Sequence, residues 1–122
     1  MERIEEFTLE GKCFIYIDFS GLTANDHFAK LTEEIKPVIN KYPRNSLYTI
    51  TNVKGTMFDS ELKNMMGAFM KHNTPYVKNM VIIGMDGVIK AAIRSIYKIS
   101  GRTNIHFAFS KEQAIAWLLQ KE

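Results

Sequence analysis

Side chains able to do chemistry are sparse in this chain, and the best placed of them are Asp59 and Ser60. Both follow the turn at Gly55 and stand where a Met- and Phe-rich segment takes up helical periodicity. The first turn of a helix leaves backbone N–H groups free, so it favours a carboxylate or a phosphate. The simpler interpretation is that both residues only begin the helix, with Thr56 as its cap.

A set of cations recurs every four residues on the third predicted helix. This spacing places three of them on one helical face, and a fourth follows the helix. The set, called the basic stripe below, consists of Lys90, Arg94, Lys98 and Arg102. It predicts either a docking surface for an acidic protein or for anionic lipid head groups, or the solvated outer face of an amphipathic helix.

The second predicted helix carries a Met-rich apolar face. Its members are Met65, Met66, Phe69 and Met70. Flexible methionine side chains could line an adaptable groove for a partner or a small apolar ligand, and core packing against a sheet would use the same residues. Because the apolar arc is wide for one buried face, we expect a dimer interface to use any surplus.

The remaining polar motifs do not combine into a catalytic or metal site. His27, His72 and His106 are scattered, without Cys, Asp or Glu at ligand spacing. The turn at 84–87 lacks the glycine and lysine pattern of a phosphate loop. Asp18, at the end of a predicted strand, is the best single acid, but one carboxylate makes a weak catalytic site. We therefore predict no enzyme activity, no metal and no cofactor.

Composition restricts the class of protein further. The chain has 122 residues, of which 46% are hydrophobic and 24% charged, and these values are typical of a single globular domain over 1–122. A net charge of +3 does not suggest nucleic-acid binding. The single cysteine, Cys13, favours a reducing compartment. There is neither the apolar region of a signal peptide nor the ~18–20-residue apolar run of a transmembrane helix. We therefore expect a cytoplasmic protein.

Strands and helices alternate in the apolar pattern. Strands are predicted over 2–9, 14–19, 47–52, 80–83 and 104–109. Thr23 with Asp26, and Ser110 with Gln113, resemble capping boxes for the first and last of four helices. Alternating strands and helices require parallel pairing with right-handed crossovers. The sequence thus predicts an α/β fold with an N-terminal hairpin, a mostly parallel sheet of about five strands, and four helices.

Three stretches of the chain carry a resemblance to a known family. They are 52–55, 80–84 and 105–118, where an aromatic strand, a capping serine and an Ala-x-x-Trp-Leu helix close the chain. The whole chain resembles the SpoIIAA-like group of STAS (anti-sigma-factor-antagonist) and SEC14-like domains, which are small bacterial and archaeal proteins. The resemblance implies a STAS-like fold.

The resemblance to this group also implies a position for a regulatory serine. In anti-sigma-factor antagonists, an Asp-Ser-Ser-Gly-Leu motif places a phosphorylatable serine at the start of the second helix. When Leu62 is aligned with the leucine of that motif, Ser60 takes the serine position. Phe58, Asp59 and Glu61 then replace the Asp, the first Ser and the Gly. Carboxylates on both sides would oppose a phosphate, or would imitate its charge.

The function implied by the resemblance is a non-enzymatic regulatory protein-interaction module. Its partner, an unidentified protein, would contact Asp59, Ser60 and Leu62, and a homodimer is a further expectation. The alternative is binding or sensing of a small apolar ligand or lipid between the sheet and the Met-rich helix, as the SEC14-like side of the resemblance implies.

Overall fold

Five strands and four helices follow one another in the predicted order. The computed structural model describes residues 3–22, 24–100 and 105–121, without the side chains at 88, 95, 97, 99 and 100. The strands are β1 (Ile4–Leu9), β2 (Lys12–Asp18), β3 (Leu47–Asn52), β4 (Val77–Ile83) and β5 (Ile105–Ala108). The helices are α1 (Asn25–Asn40), α2 (Ser60–Asn73), α3 (Gly87–Ser100) and α4 (Lys111–Leu119). The predicted α/β class is confirmed.

The sheet is mixed, and its strands lie side by side in chain order. β1 pairs antiparallel with β2, whereas β2, β3, β4 and β5 pair in parallel. The description as a mostly parallel sheet is therefore corrected to a mixed one. The physical reason is the N-terminal hairpin, whose short turn between β1 and β2 permits only antiparallel pairing.

Three helices cover one face of the sheet and a single helix covers the other. The main core contains buried residues of α1, α2 and α3 together with Ile15 and Ile17 of β2. A separate cluster on the opposite face joins Ala114 and Leu118 of α4 to Phe14 of β2 and to buried residues of β3 and β4. Successive parallel strands joined by crossovers of one hand place their helices on the same side, which explains this division.

The structure shows how α4 and α1 begin. Ser110 caps α4, because its Oγ accepts a 3.1 Å hydrogen bond from the Gln113 N–H, and Gln113 Oε1 accepts one from the Phe109 N–H. The predicted Ser110 cap is thus confirmed. Helix α1 begins after Ala24 without a side-chain cap. Thr23, the predicted cap, lies outside the described residues.

Among the described residues, no helix combines the length and the apolar character needed to cross a membrane.

Candidate functional site

The loops at the carboxyl ends of the parallel strands form one edge of the sheet. β3, β4 and β5 each end at this edge and lead into α2, α3 and α4. Two concave regions open here, one between α2 and α3 and the other between α3 and β5. Ligands of open α/β sheets bind at this edge, so these two regions form the candidate site.

The larger region, called the α2–α3 cleft, has a volume of about 840 Å³. This volume falls in the ~300–1,000 Å³ range of ligand pockets. The cleft is lined by residues of the loop before α2, of α2 and of the first turns of α3: Gly55, Thr56, Met57, Phe58, Asp59, Lys63, Asp86, Ile89, Ala91 and Ala92. Its walls are therefore mainly apolar, with two carboxylates and one cation.

Asp59 caps α2. Its Oδ1 accepts a 2.7 Å hydrogen bond from the backbone N–H of Leu62, and Nδ2 of Asn25 in α1 donates to Oδ2 at 3.3 Å. The Leu62 N–H lowers the pKa of the Asp59 carboxyl, with a smaller contribution from Asn25. The carboxylate is therefore ionised at neutral pH, and it fixes both the helix start and the rim of the cleft.

Thr56, which the sequence offered as the cap of α2, has a different role. It is buried, and its hydroxyl donates a 2.7 Å hydrogen bond to the carbonyl oxygen of Phe19. Its backbone N–H donates to the carbonyl of Val53 at 3.0 Å. Thr56 thus ties the β3–α2 loop to the end of β2. The prediction of Thr56 as cap is wrong, because its partner lies 37 residues away in sequence.

Ser60 and Leu62, the other two residues predicted to meet a partner, lie in different environments. Ser60 is exposed at the first position of α2. Leu62 has an exposed fraction of 1% and belongs to the main core. The predicted contact between a partner and Leu62 is therefore corrected, since this side chain packs beneath the helix. The accessible surface at the α2 start consists of Asp59, Ser60 and Glu61.

A second aspartate, which the sequence reasoning missed, faces the same cleft. Oδ1 of Asp86 accepts a 2.8 Å hydrogen bond from the Ile89 N–H, so Asp86 begins α3 as Asp59 begins α2. The available signal was an Asp placed three residues before the apolar stripe of a helix. Both carboxylates are thus occupied by helix N–H groups. Within the described ranges, no group of three or more His, Cys, Asp or Glu residues could hold a metal ion.

Exposed apolar side chains mark the same edge of the sheet. Met57, before α2, has an exposed fraction of 69%, and Phe109, before α4, one of 94%. Phe58 and Met85 are half-buried beside them in sequence or in space. Phe109 was predicted to end the strand 104–109, whereas β5 ends one residue earlier, at Ala108. The exposure of Met57 could not be predicted, because a single apolar residue in a loop carries no periodicity. Met57 thus lines the α2–α3 cleft, and Phe109 lines the region between α3 and β5.

The Met-rich face of α2 is core. Met66, Phe69 and Met70 have exposed fractions of 2–3%, and Met65 packs half-buried against the same cluster. The cavity between these residues and the sheet measures about 10 Å³, far below the ~300 Å³ of a small ligand pocket. The expectation of a dimer surface or ligand pocket at these residues is therefore corrected, because their side chains fill the space between α2 and the sheet.

The basic stripe is exposed where it is described. Lys90, Arg94 and Lys98 all reach solvent on the outer side of α3, whereas Arg102 lies outside the described residues. The four ion pairs found within the described part of the chain involve none of these three cations. The docking role of the stripe stays a prediction.

Asp18, the best single acid in the sequence, serves the backbone. Its Oδ1 accepts a 2.9 Å hydrogen bond from the Ser20 N–H and lies 4.0 Å from Nη1 of Arg3. The same guanidinium nitrogen donates to the carbonyl oxygens of Asp18 and Ser20. These contacts hold the turn after β2.

Comparison with known proteins gave no match: no family model, no curated protein and no solved structure is significantly similar to this chain. The STAS resemblance therefore stays a prediction.

Proposed function

We propose that this chain is a non-enzymatic regulatory module of STAS type that binds a partner protein at the start of α2 and in the adjoining α2–α3 cleft. The observation that carries the proposal is the exposure of Met57, at 69%, beside the exposed Asp59 and Ser60 on the rim of a cleft of about 840 Å³. An exposed apolar anchor next to fixed charges is the arrangement typical of protein interfaces.

The chemistry of the cleft favours binding over catalysis. Asp59 and Asp86 each accept a short hydrogen bond from a helix N–H, and the pKa of Asp59 is lowered by that bond. A general base or acid at neutral pH needs a pKa near 7, whereas the pKa of the Asp59 carboxyl is lowered. The mainly apolar walls would instead bury the side chains of a partner.

The STAS assignment is supported by the arrangement of elements. A hairpin followed by alternating helices and strands is the order expected for that group, and α2 begins where its regulatory serine would lie. Ser60 is exposed at this helix start. Its neighbours Asp59 and Glu61 already place negative charge there, so we propose that the surface binds its partner without phosphorylation.

The test is affinity capture of partners by the full chain and by four single variants, with each recovered protein quantified. Met57→Ser and Glu61→Lys should each reduce recovery of the specific partner about tenfold, because they remove the anchor and reverse a rim charge. Ser60→Ala should change recovery little. Lys30→Ser, on the exposed face of α1, is the matched control and should behave as the unmodified chain. Equal recovery by the unmodified chain, Met57→Ser and Glu61→Lys contradicts the proposal.

A small apolar ligand is the alternative occupant of the same cleft. Met57, Phe58 and Ile89 supply apolar wall, and the cleft volume suits a ligand better than the 10 Å³ cavity behind α2 does. Native mass spectrometry of the purified chain distinguishes the two functions. A bound mass that is absent from an Ala92→Trp variant, whose larger side chain narrows the cleft, would favour the ligand.

A further inference from the structure

The second concave region at the carboxyl ends of the strands lies between α3 and β5, the outermost strand of the sheet. This α3–β5 pocket has a volume of about 260 Å³ and is lined by Gly84, Met85, Lys90, Phe107, Ala108 and Phe109. It is smaller than the ~300–1,000 Å³ typical of small-molecule sites. A single large side chain suits this space better than a cofactor does.

The rim of the α3–β5 pocket joins apolar and positive groups. Phe109 has an exposed fraction of 94%, which places almost its whole ring in solvent. Lys90, on the opposite side of the pocket, is the first residue of the basic stripe. Arg94 and Lys98 continue the stripe along α3, and each successive cation lies about 6 Å further along the helix axis. A positive strip of about 12 Å therefore leads away from an apolar pocket.

Within the described part of the chain, no ion pair joins Lys90, Arg94 or Lys98 of the basic stripe to a carboxylate. The ion pairs found there join Arg3, Lys36, Lys41 and Lys111 to carboxylates elsewhere on the molecule. Lys90, Arg94 and Lys98 are exposed. A partner surface with carboxylates at matching intervals would gain Coulomb energy and faster association here.

We propose that the α3–β5 pocket, together with Lys90, Arg94 and Lys98 of the basic stripe, binds an acidic peptide segment of a partner protein. One apolar side chain of the segment enters the pocket beside Phe109, and its carboxylates contact Lys90, Arg94 and Lys98. In an extended peptide, every second side chain points the same way and repeats at about 6.6 Å. Acidic residues at alternate positions after the anchor therefore match the spacing of the stripe.

Charge and shape select this occupant over two others. A second copy of the chain, related by two-fold symmetry across this edge, would bring two basic stripes together. A bilayer surface is flat and would leave the pocket unfilled. An acidic segment with an apolar anchor would pair its carboxylates with the basic stripe and would fill the α3–β5 pocket. This surface is separate from the α2–α3 cleft, so the two proposals can fail independently.

The test uses a synthetic, dye-labelled peptide in which one tryptophan is followed by glutamates at every second position. Its fluorescence anisotropy is measured with the full chain. We expect saturable binding that weakens as salt is added. The double variant Lys90→Glu/Arg94→Glu should weaken binding about tenfold or more, and Phe109→Ser should weaken it severalfold. Lys71→Glu, which reverses the charge of one exposed cation on α2, should leave affinity unchanged.

Four results would overturn the proposal. The first is that a peptide with glutamine in place of glutamate binds as tightly as the glutamate peptide, and the second is that Lys71→Glu loses as much affinity as the double variant. The third is that the chain binds only to vesicles containing phosphatidylserine. The fourth is that the glutamate peptide does not bind at concentrations up to about 1 mM. Circular dichroism and thermal melting of each variant establish that it is folded before affinities are compared.

Discussion

The backbone N–H of Leu62 lies 2.7 Å from Oδ1 of Asp59. This one hydrogen bond connects the core to the candidate interaction surface, because Leu62 packs inside while Asp59 stands on the rim of the α2–α3 cleft. The first turn of α2 is thereby held with Ser60 facing solvent. The stability of the helix start and the shape of the cleft are thus coupled.

Replacing Asp59 by Ala should lower the melting temperature by roughly 2–8 °C, because the Leu62 N–H loses its acceptor. Asp59→Asn keeps an oxygen acceptor and should lose less. Ser60→Ala, one residue along the helix, should shift the melting temperature by no more than about 1 °C, since no side-chain hydrogen bond of Ser60 occurs in the described structure. Thermal melts of the three variants provide the measurement. Equal losses in Asp59→Ala and Ser60→Ala would contradict the capping role.

The contribution of the same hydrogen bond to stability should be lost in acid. The pKa of Asp59 in the folded chain lies below its ordinary value of 3.8, chiefly because the Leu62 N–H stabilises the carboxylate. A lowered folded-state pKa contributes stability above the unfolded-state pKa and loses it as pH falls through the folded-state pKa. Below about pH 4, the stability of Asp59→Asn should therefore fall less steeply than that of the unmodified chain. Urea unfolding midpoints at a series of acidic pH values test this, and parallel pH profiles would count against it.

Gly84→Ala should be strongly destabilising. Gly84 has φ of +84°, and an added Cβ would lie 2.6 Å from Oδ1 of Asn52 and 2.7 Å from the backbone N of Lys54. The unfavourable backbone conformation costs about 1 kcal/mol or more, and the backbone at Lys54, in the loop after β3, cannot yield easily to the clash. Gly87→Ala is the control: a Cβ there meets nothing within 4 Å, at the first residue of α3.

The two glycine variants should therefore differ in stability, and only Gly84→Ala should be destabilised. Gly87→Ala should be neutral or should stabilise the fold by up to about 1 kcal/mol, because alanine restricts the unfolded chain. Denaturant unfolding of both variants gives the free energies. Similar free energies of unfolding for the two would show that the close approach at Gly84 can relax.

Much of the architecture could be predicted because it follows from local periodicity. Strands β2 and β3 and the stripe of α1 follow from the order of apolar residues, and Ser110 with Gln113 indicates the start of α4. Neither tertiary position nor neighbours can be read in this way. The wide apolar arc of α2 suggested a surplus surface, yet α2 is the middle helix of three and packs against both α1 and α3. A helix with neighbours on two sides needs a wide arc.

The candidate site was harder to predict than the fold. Thr56 and Asp59 are both suitable caps by residue type, and only the contact of Thr56 with Phe19 decides between them. Met57 and Phe109 stand in loops, where exposure depends on how distant segments pack. The clefts beside α3 arise from three separate loops, so no short motif could predict them.

Tyr42 should make the stability of the chain sensitive to alkali. Its hydroxyl donates a 2.6 Å hydrogen bond to Oε1 of Glu6, which raises the pKa of Tyr42 to about 12. A raised folded-state pKa favours the protonated phenol, so the contribution is present below the ordinary value of 10.0 and is lost as pH rises towards about 12. Tyr42→Phe should show a shallower loss of stability over this interval. Unfolding midpoints compared at pH 9 and about pH 11 measure it, and identical slopes would argue against the hydrogen bond.

Thr56→Val should destabilise the fold and loosen the rim of the α2–α3 cleft. Valine keeps the shape of threonine but removes the buried 2.7 Å hydrogen bond to the carbonyl of Phe19. That carbonyl also accepts from the Leu22 N–H at 3.3 Å, so it keeps one partner. The expected loss is therefore about 1 kcal/mol and not the larger penalty of an unpaired buried acceptor.

Thr56→Ser separates the hydroxyl from the methyl group, because it keeps the donor and loses only packing. Thr8→Val, on an exposed position of β1, should change stability by less than about 0.5 kcal/mol. Since Thr56 and Met57 are adjacent, loosening this loop should also weaken the binding of any partner that Met57 anchors, even though Thr56 itself is buried. A Thr56→Val chain with unchanged stability and undiminished partner recovery would mean that the loop is held by other contacts.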